Sequence, residues 1–100
     1  MTTKLNEDLG QRVISIIESN LQAKKLIRGL KRSLDLYLND EDRKRYALQS
    51  AYAGFVYASL LDYNPLERLE RYVSSLTDKI KRNPYISPEM IAEFFKEAFE

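Results

Sequence analysis

Apolar residues recur every third or fourth position along almost the whole chain, the period of α-helices that each turn one face to a core. Leu5, Leu9, Val13, Ile16 and Ile17 open the pattern, and Ala23, Leu26, Ile27, Leu30, Leu34, Tyr37 and Leu38 continue it. Asn39-Asp40 then supplies a stop and a fresh N-cap, because short polar side chains accept from the free amides of a first turn. Within the first stretch, Ser19-Asn20-Leu21-Gln22 has the S-x-x-Q form of a capping box and predicts a break there. The alternative is one helix over 5–38, about 51 Å long at 1.5 Å per residue.

A second helix is expected over 41–62. Ala47, Ala51, Gly54 and Ala58 fall in one narrow arc of it, where small side chains let another helix come close. Tyr52, Val56 and Tyr63 fall on the opposite arc, with Leu48 and Phe55 between. A helix that is apolar all round is expected to be surrounded, by its own chain or by a partner. The tyrosines Tyr52, Tyr57 and Tyr63 are accordingly read as core with their hydroxyls at the surface, or as aromatic surface that suits partner recognition.

The third helix has a clear start, with Asn64 as N-cap, Pro65 at the first helical position and Glu67 at the third. Leu66, Leu69, Val73, Leu76 and Ile80 form its buried stripe, and Asn83-Pro84 ends it. The fourth begins at Ser87-Pro88, with Ile86 and Ile91 at the two positions of a hydrophobic staple. Ile91, Phe94, Phe95 and Ala98 are its core residues, and Glu89, Glu93, Glu97 and Glu100 its outer stripe. No segment alternates in the manner of a strand. Short connections predict one all-α domain over 1–100, an antiparallel bundle of four helices, or five if the first breaks near Ser19-Asn20.

Composition narrows the chemistry. With 100 residues, the chain has room for one small core. It has no cysteine and no histidine, which removes thiol nucleophiles, thiolate zinc sites and the commonest general base. No serine sits in a nucleophile turn, and Gly10, Gly29 and Gly54 are isolated within helical patterns rather than clustered in a phosphate loop. Asp40, Glu41 and Asp42 lack the spacing of a calcium loop and read as acids at a helix N-terminus. The expectation is a non-enzymatic protein with no catalytic residue, metal or cofactor. Asn6, Glu7 and Asp8 stand where a leader's apolar run would begin, and the uncharged run 46–61 is short for a membrane span. A cytoplasmic location is therefore expected.

Net charge is +1, from 16 basic and 15 acidic residues, so bulk charge selects no partner. Its distribution does. Lys24, Lys25, Arg28, Lys31 and Arg32 share one arc opposite Leu26, Leu30 and Leu34, with no acid between them. Ile14, Ile17 and Leu21 lie beside that arc. A mixed aliphatic and cationic surface suits protein recognition. The leading expectation is an accessory or regulatory subunit that binds another protein through Ile14, Leu21, Lys25, Arg28 and Arg32, with self-association into a homodimer as one form of it. The alternative is nucleic-acid binding, with Lys24, Lys25, Arg28, Lys31 and Arg32 tracking phosphates. The basic arc and the acidic outer stripe of the fourth helix are also candidates for steering association.

Overall fold

The computed structural model describes residues 20–100. The expectations placed on Leu5, Leu9, Val13, Ile14, Ile16, Ile17 and Ser19 lie outside the described residues. Within them the chain forms four helices and no strand: α1 (Leu21–Tyr37), α2 (Glu41–Leu60), α3 (Pro65–Arg82) and α4 (Pro88–Phe99).

Helix starts follow the short polar side chains. Asn20, in extended backbone, caps α1 by accepting from the Ala23 amide at 3.0 Å. The start expected near Ser19-Asn20 is therefore present, with Asn20 rather than Ser19 as the cap of α1. Asp40 accepts from the amides of Asp42 and Arg43, at 2.9 and 3.1 Å, which accounts for its place at the head of α2. Ser87 accepts from Met90 at 3.2 Å, and the staple residues Ile86 and Ile91 are both fully buried.

Asn64 departs from the expected capping box. Its backbone is left-handed, at φ 47° and ψ 63°, and its side chain makes no cap bond. The preceding turn forces this geometry: α2 stops at Leu60 rather than Asp62, Asp62 also has positive φ, and the Tyr63 amide donates back to the Ala58 carbonyl. Pro65 at the first helical position removes one of the free amides of the first turn, and those of Leu66 and Glu67 find no acceptor in the Asn64 side chain.

Consecutive helices form antiparallel hairpins, because their cross-contacts nest around the turns. Lys44 meets Asp35 across the first turn, Tyr72 meets the Ala47 carbonyl across the second, and Arg68 meets the Ala98 carbonyl across the third. Asn20 lies beside Asn64 to Glu67, and Tyr37 to Asp40 lie beside Pro84-Tyr85, so α1 and α3 run parallel. Helix α3 contacts all three others, α2 also touches both α1 and α4, and α1 and α4 do not meet. The bundle is thus rhombic in section, with α2 and α3 on the short diagonal.

Within the chain it is therefore α3, and not the second helix, that is surrounded. The large buried residues Leu69, Tyr72, Leu76 and Ile80 all belong to α3. The buried face of α2 is mostly Ala47, Ala51, Gly54 and Ala58, with Phe55 as its one large member. These small residues make a low floor against which neighbours pack. A Cβ on Gly54 would lie 2.5 Å from ring carbons of Phe99, so glycine is what lets α4 close against α2. Phe99 is almost fully buried and belongs to the core with Ile91 and Ala98, whereas Phe94 and Phe95 pack at its edge. Rings of Phe95 and Phe99 stand 6.4 and 5.7 Å from that of Tyr72.

Candidate functional site

Helix α1 builds the cationic face from its periodicity. Ala23, Ile27, Leu30 and Leu34 are buried and Leu26 is half-buried, so these residues anchor the helix to α2 and α3. Of the last two residues expected in this stripe, Leu38 is buried and Tyr37 is exposed. With that face fixed, residues at spacings of four, three, four and four from Leu21 must point outward. They are Leu21, Lys25, Arg28, Arg32 and Leu36. Leu21 is 72 % and Leu36 69 % exposed, and the three cations between them are exposed as well. From Leu21 to Leu36 the stripe is about 22 Å long at helical rise.

Lys31 lies on the same side as this stripe and is exposed; Lys24 is half-buried. Among the described residues, Lys25, Arg28, Lys31 and Arg32 face no acid within ion-pair distance. The one acid at the margin, Asp35, is engaged by Lys44 at 3.6 Å. Lys44 also reaches Glu41 at 3.2 Å, and that hydrogen bond, with the charges of both acids, holds its ammonium above the ordinary lysine value. Other cations are likewise matched locally: Arg43 with Asp40 at 3.7 Å and Arg71 with Glu67 at 3.6 Å. Arg28, Lys31, Arg32, Asp35 and Leu36 border an open depression of about 370 Å³. Of the residues expected to bind a partner, Leu21, Lys25, Arg28 and Arg32 are therefore brought together on one exposed stripe. Ile14 lies outside the described residues.

The stripe also holds two features that the sequence reading did not single out. Leu36 extends it at its C-terminal end. Gly29, beside it, meets nothing within 4 Å of where a Cβ would stand. The signal for Leu36 was its spacing of four from Arg32.

The core reading does not hold for the three tyrosines. Tyr52, Tyr57 and Tyr63 are exposed rather than core, at 38 %, 54 % and 51 %. The buried tyrosine is Tyr72, on the inner side of α3, whose hydroxyl donates to the Ala47 carbonyl at 3.0 Å. Burial pushes its phenol far above the ordinary value, a hydrogen bond with Ser50 works in the opposite direction, and nearby Tyr46 adds to the rise. Tyr72 thus stays a neutral donor and serves as a structural pin.

Chemistry of other kinds finds little purchase among the described residues. None of the charged side chains is buried, no buried side-chain polar atom lacks a partner, and no group of three or more acids is placed to hold a metal ion. No helix there is long and apolar enough to cross a membrane. The described residues form a small all-helical fold with no cysteine and no metal-binding cluster. No protein-family model matches the chain, and no curated protein or solved structure is similar to it.

Proposed function

We propose that the protein works by binding another protein, as an accessory or regulatory subunit, through the outer stripe of α1. The observation that carries this reading is the stripe itself: exposed leucines at both ends and cations between them that no acid of the described bundle matches. Apolar anchors supply affinity when water is excluded around them, and the charged positions set orientation and encounter rate. The complementary partner carries acidic residues flanked by apolar pockets.

The test is capture of partners from the source cell by the wild-type chain and by a double charge reversal, Arg28→Glu with Arg32→Glu, each with and without nuclease. The expected result is capture that resists nuclease and is lost in the variant. Both positions are exposed, so helical circular dichroism and melting should stay within about 0.5 kcal/mol of wild type. Capture unchanged by the reversal would reject the placement.

Nucleic-acid binding is the second reading, favoured by the run of exposed cations Lys25, Arg28, Lys31 and Arg32 on one side of α1. Phosphate-driven binding must fall steeply with salt. A mobility-shift titration at two salt concentrations decides it, and no shift at low salt removes it. The exposed Leu21 and Leu36 have no role on a phosphate backbone, which is why the protein partner is preferred.

A further inference from the structure

From Tyr46 to Leu61 helix α2 carries no charged residue, although one side of it faces solvent. At 100° per residue, Gln49, Ala53, Val56 and Leu60 form a central strip on that side. Tyr52 flanks the strip on one edge, Tyr46 and Tyr57 on the other. Tyr46, Tyr52, Tyr57 and Leu60 are exposed by 40 %, 38 %, 54 % and 73 %. Leu61 and Tyr63, in the turn beyond the helix end, are also exposed, at 43 % and 51 %. Exposed tyrosines and a leucine beside an uncharged strip resemble the make-up of an interface more than that of a solvated helix face.

Charge selects what covers it. In a twofold contact each residue near the axis meets its own copy, so a face of one sign repels itself. The outer face of α1 presents exposed cations, and that of α4 presents Glu89, Glu93, Glu97 and Glu100. The strip on α2 meets no such penalty. The nearest charges across the groove from Ala53 are Lys96 and Glu100 of α4, which are opposite in sign. With Ala53 on the axis of an antiparallel pair, Tyr46 faces Leu60 and Gln49 faces Tyr57. The smallest side chain then lies where the backbones approach closest, Tyr46 and Tyr57 lie toward the ends, and the Tyr52 rings flank the axis.

We infer that the outer face of α2 is a homodimer interface, in which two copies pack antiparallel about a twofold axis near Ala53. This surface is separate from the α1 stripe and leaves that stripe open in both copies.

Sedimentation equilibrium on the full chain tests it, with Ala53→Lys and Ala53→Glu measured alone and mixed. The wild type should rise with concentration from 11.7 kDa to twice that mass. Each variant alone should remain monomeric with unchanged helical circular dichroism, because like charges meet at the axis. Mixing the two should restore the doubled mass, and high salt should weaken that mixed dimer selectively. Leu60→Lys, at the exposed end of the strip, is the independent variant should position 53 disturb folding; it should raise the dissociation constant at least tenfold. A wild type that stays monomeric throughout, as a cover supplied by residues 1–19 or by a foreign protein would make it, overturns the inference. So do variants that still dimerise alone, or a mixture that does not recover.

Discussion

The inner face of α2 and the outer face of α1 each contain a glycine in mid-helix, and the two glycines have opposite standing. Gly54 sits on the low floor of α2, where the ring of Phe99 occupies the space that a Cβ would need. Gly29 sits on the solvent side of α1 with open space around it. Glycine in a helix interior costs about 0.5–1 kcal/mol relative to alanine, since it gives up more backbone freedom on folding. At Gly54 that cost is offset by the close approach of α4 and by the burial of Phe99. At Gly29 nothing within the described bundle offsets it. The same residue type in the same secondary structure therefore has its reason inside the molecule in one place and not in the other.

Five substitutions break or sharpen this contrast. The largest effect is expected on the inner side, where Leu76→Ala removes a fully buried side chain of α3 and should cost about 2–5 kcal/mol by urea or thermal unfolding. It sets the scale for packing against the core. Gly54→Leu should cost about 1–3 kcal/mol by driving a side chain into Phe99. Adding Phe99→Ala should make the two losses less than additive, because the clash is removed with the ring.

Tyr72→Phe removes the hydroxyl that donates to the Ala47 carbonyl and should cost about 0.5–1.5 kcal/mol at neutral pH. The sign of its pH dependence follows from the raised phenol. Above the ordinary value near 10 the unfolded chain loses the proton while the folded chain keeps it. The Tyr72 contribution is therefore complete below that pH and is lost as pH rises toward the folded value. Melting temperatures compared between the two chains above pH 10 should converge, and a constant difference would reject the role given to burial. The smallest effect is on the outer side. Gly29→Ala should stabilise by about 0.5–1 kcal/mol, and a loss of stability there would show that the monomer itself needs the glycine.

Much of the fold was legible because it depends on local rules. Spacings of three and four marked the buried stripes of α1, α3 and α4, and Asp40 and Ser87 marked starts that the structure confirms. Expectations failed where long-range packing decides. Asn64 has the right identity for a cap, yet the tight turn after α2 places its backbone in the left-handed region and takes its side chain away from the amides. Tyr72 and Tyr52 are chemically alike, and each stands on a helix with apolar neighbours. Tyr72 stands three residues after Leu69 and four before Leu76, so its spacing signalled burial, whereas Tyr52 lies on a helix apolar all round, where spacing does not choose the inner face.

The candidate site was legible to a similar degree. Lys25, Arg28 and Arg32 were found from charge and period alone, since a helix that buries Ile27, Leu30 and Leu34 must expose them. That these cations have no acid within ion-pair distance depended on the third dimension, because Asp35, at their margin, instead meets Lys44 from α2.

By itself, then, the sequence determined an all-helical chain without thiol or imidazole chemistry and with a cationic outer face on its first described helix. Periodicity, capping and composition act within a few residues and need no knowledge of neighbours. The tertiary structure alone decided that α3 stands at the centre, that α1 and α4 stay apart, and that the uncharged side of α2 is left open. The physical reason is that an all-round apolar helix has two faces of nearly equal hydrophobicity. Only the fit of large residues from α3 and α4 onto the small residues of α2 chooses which of them goes inside.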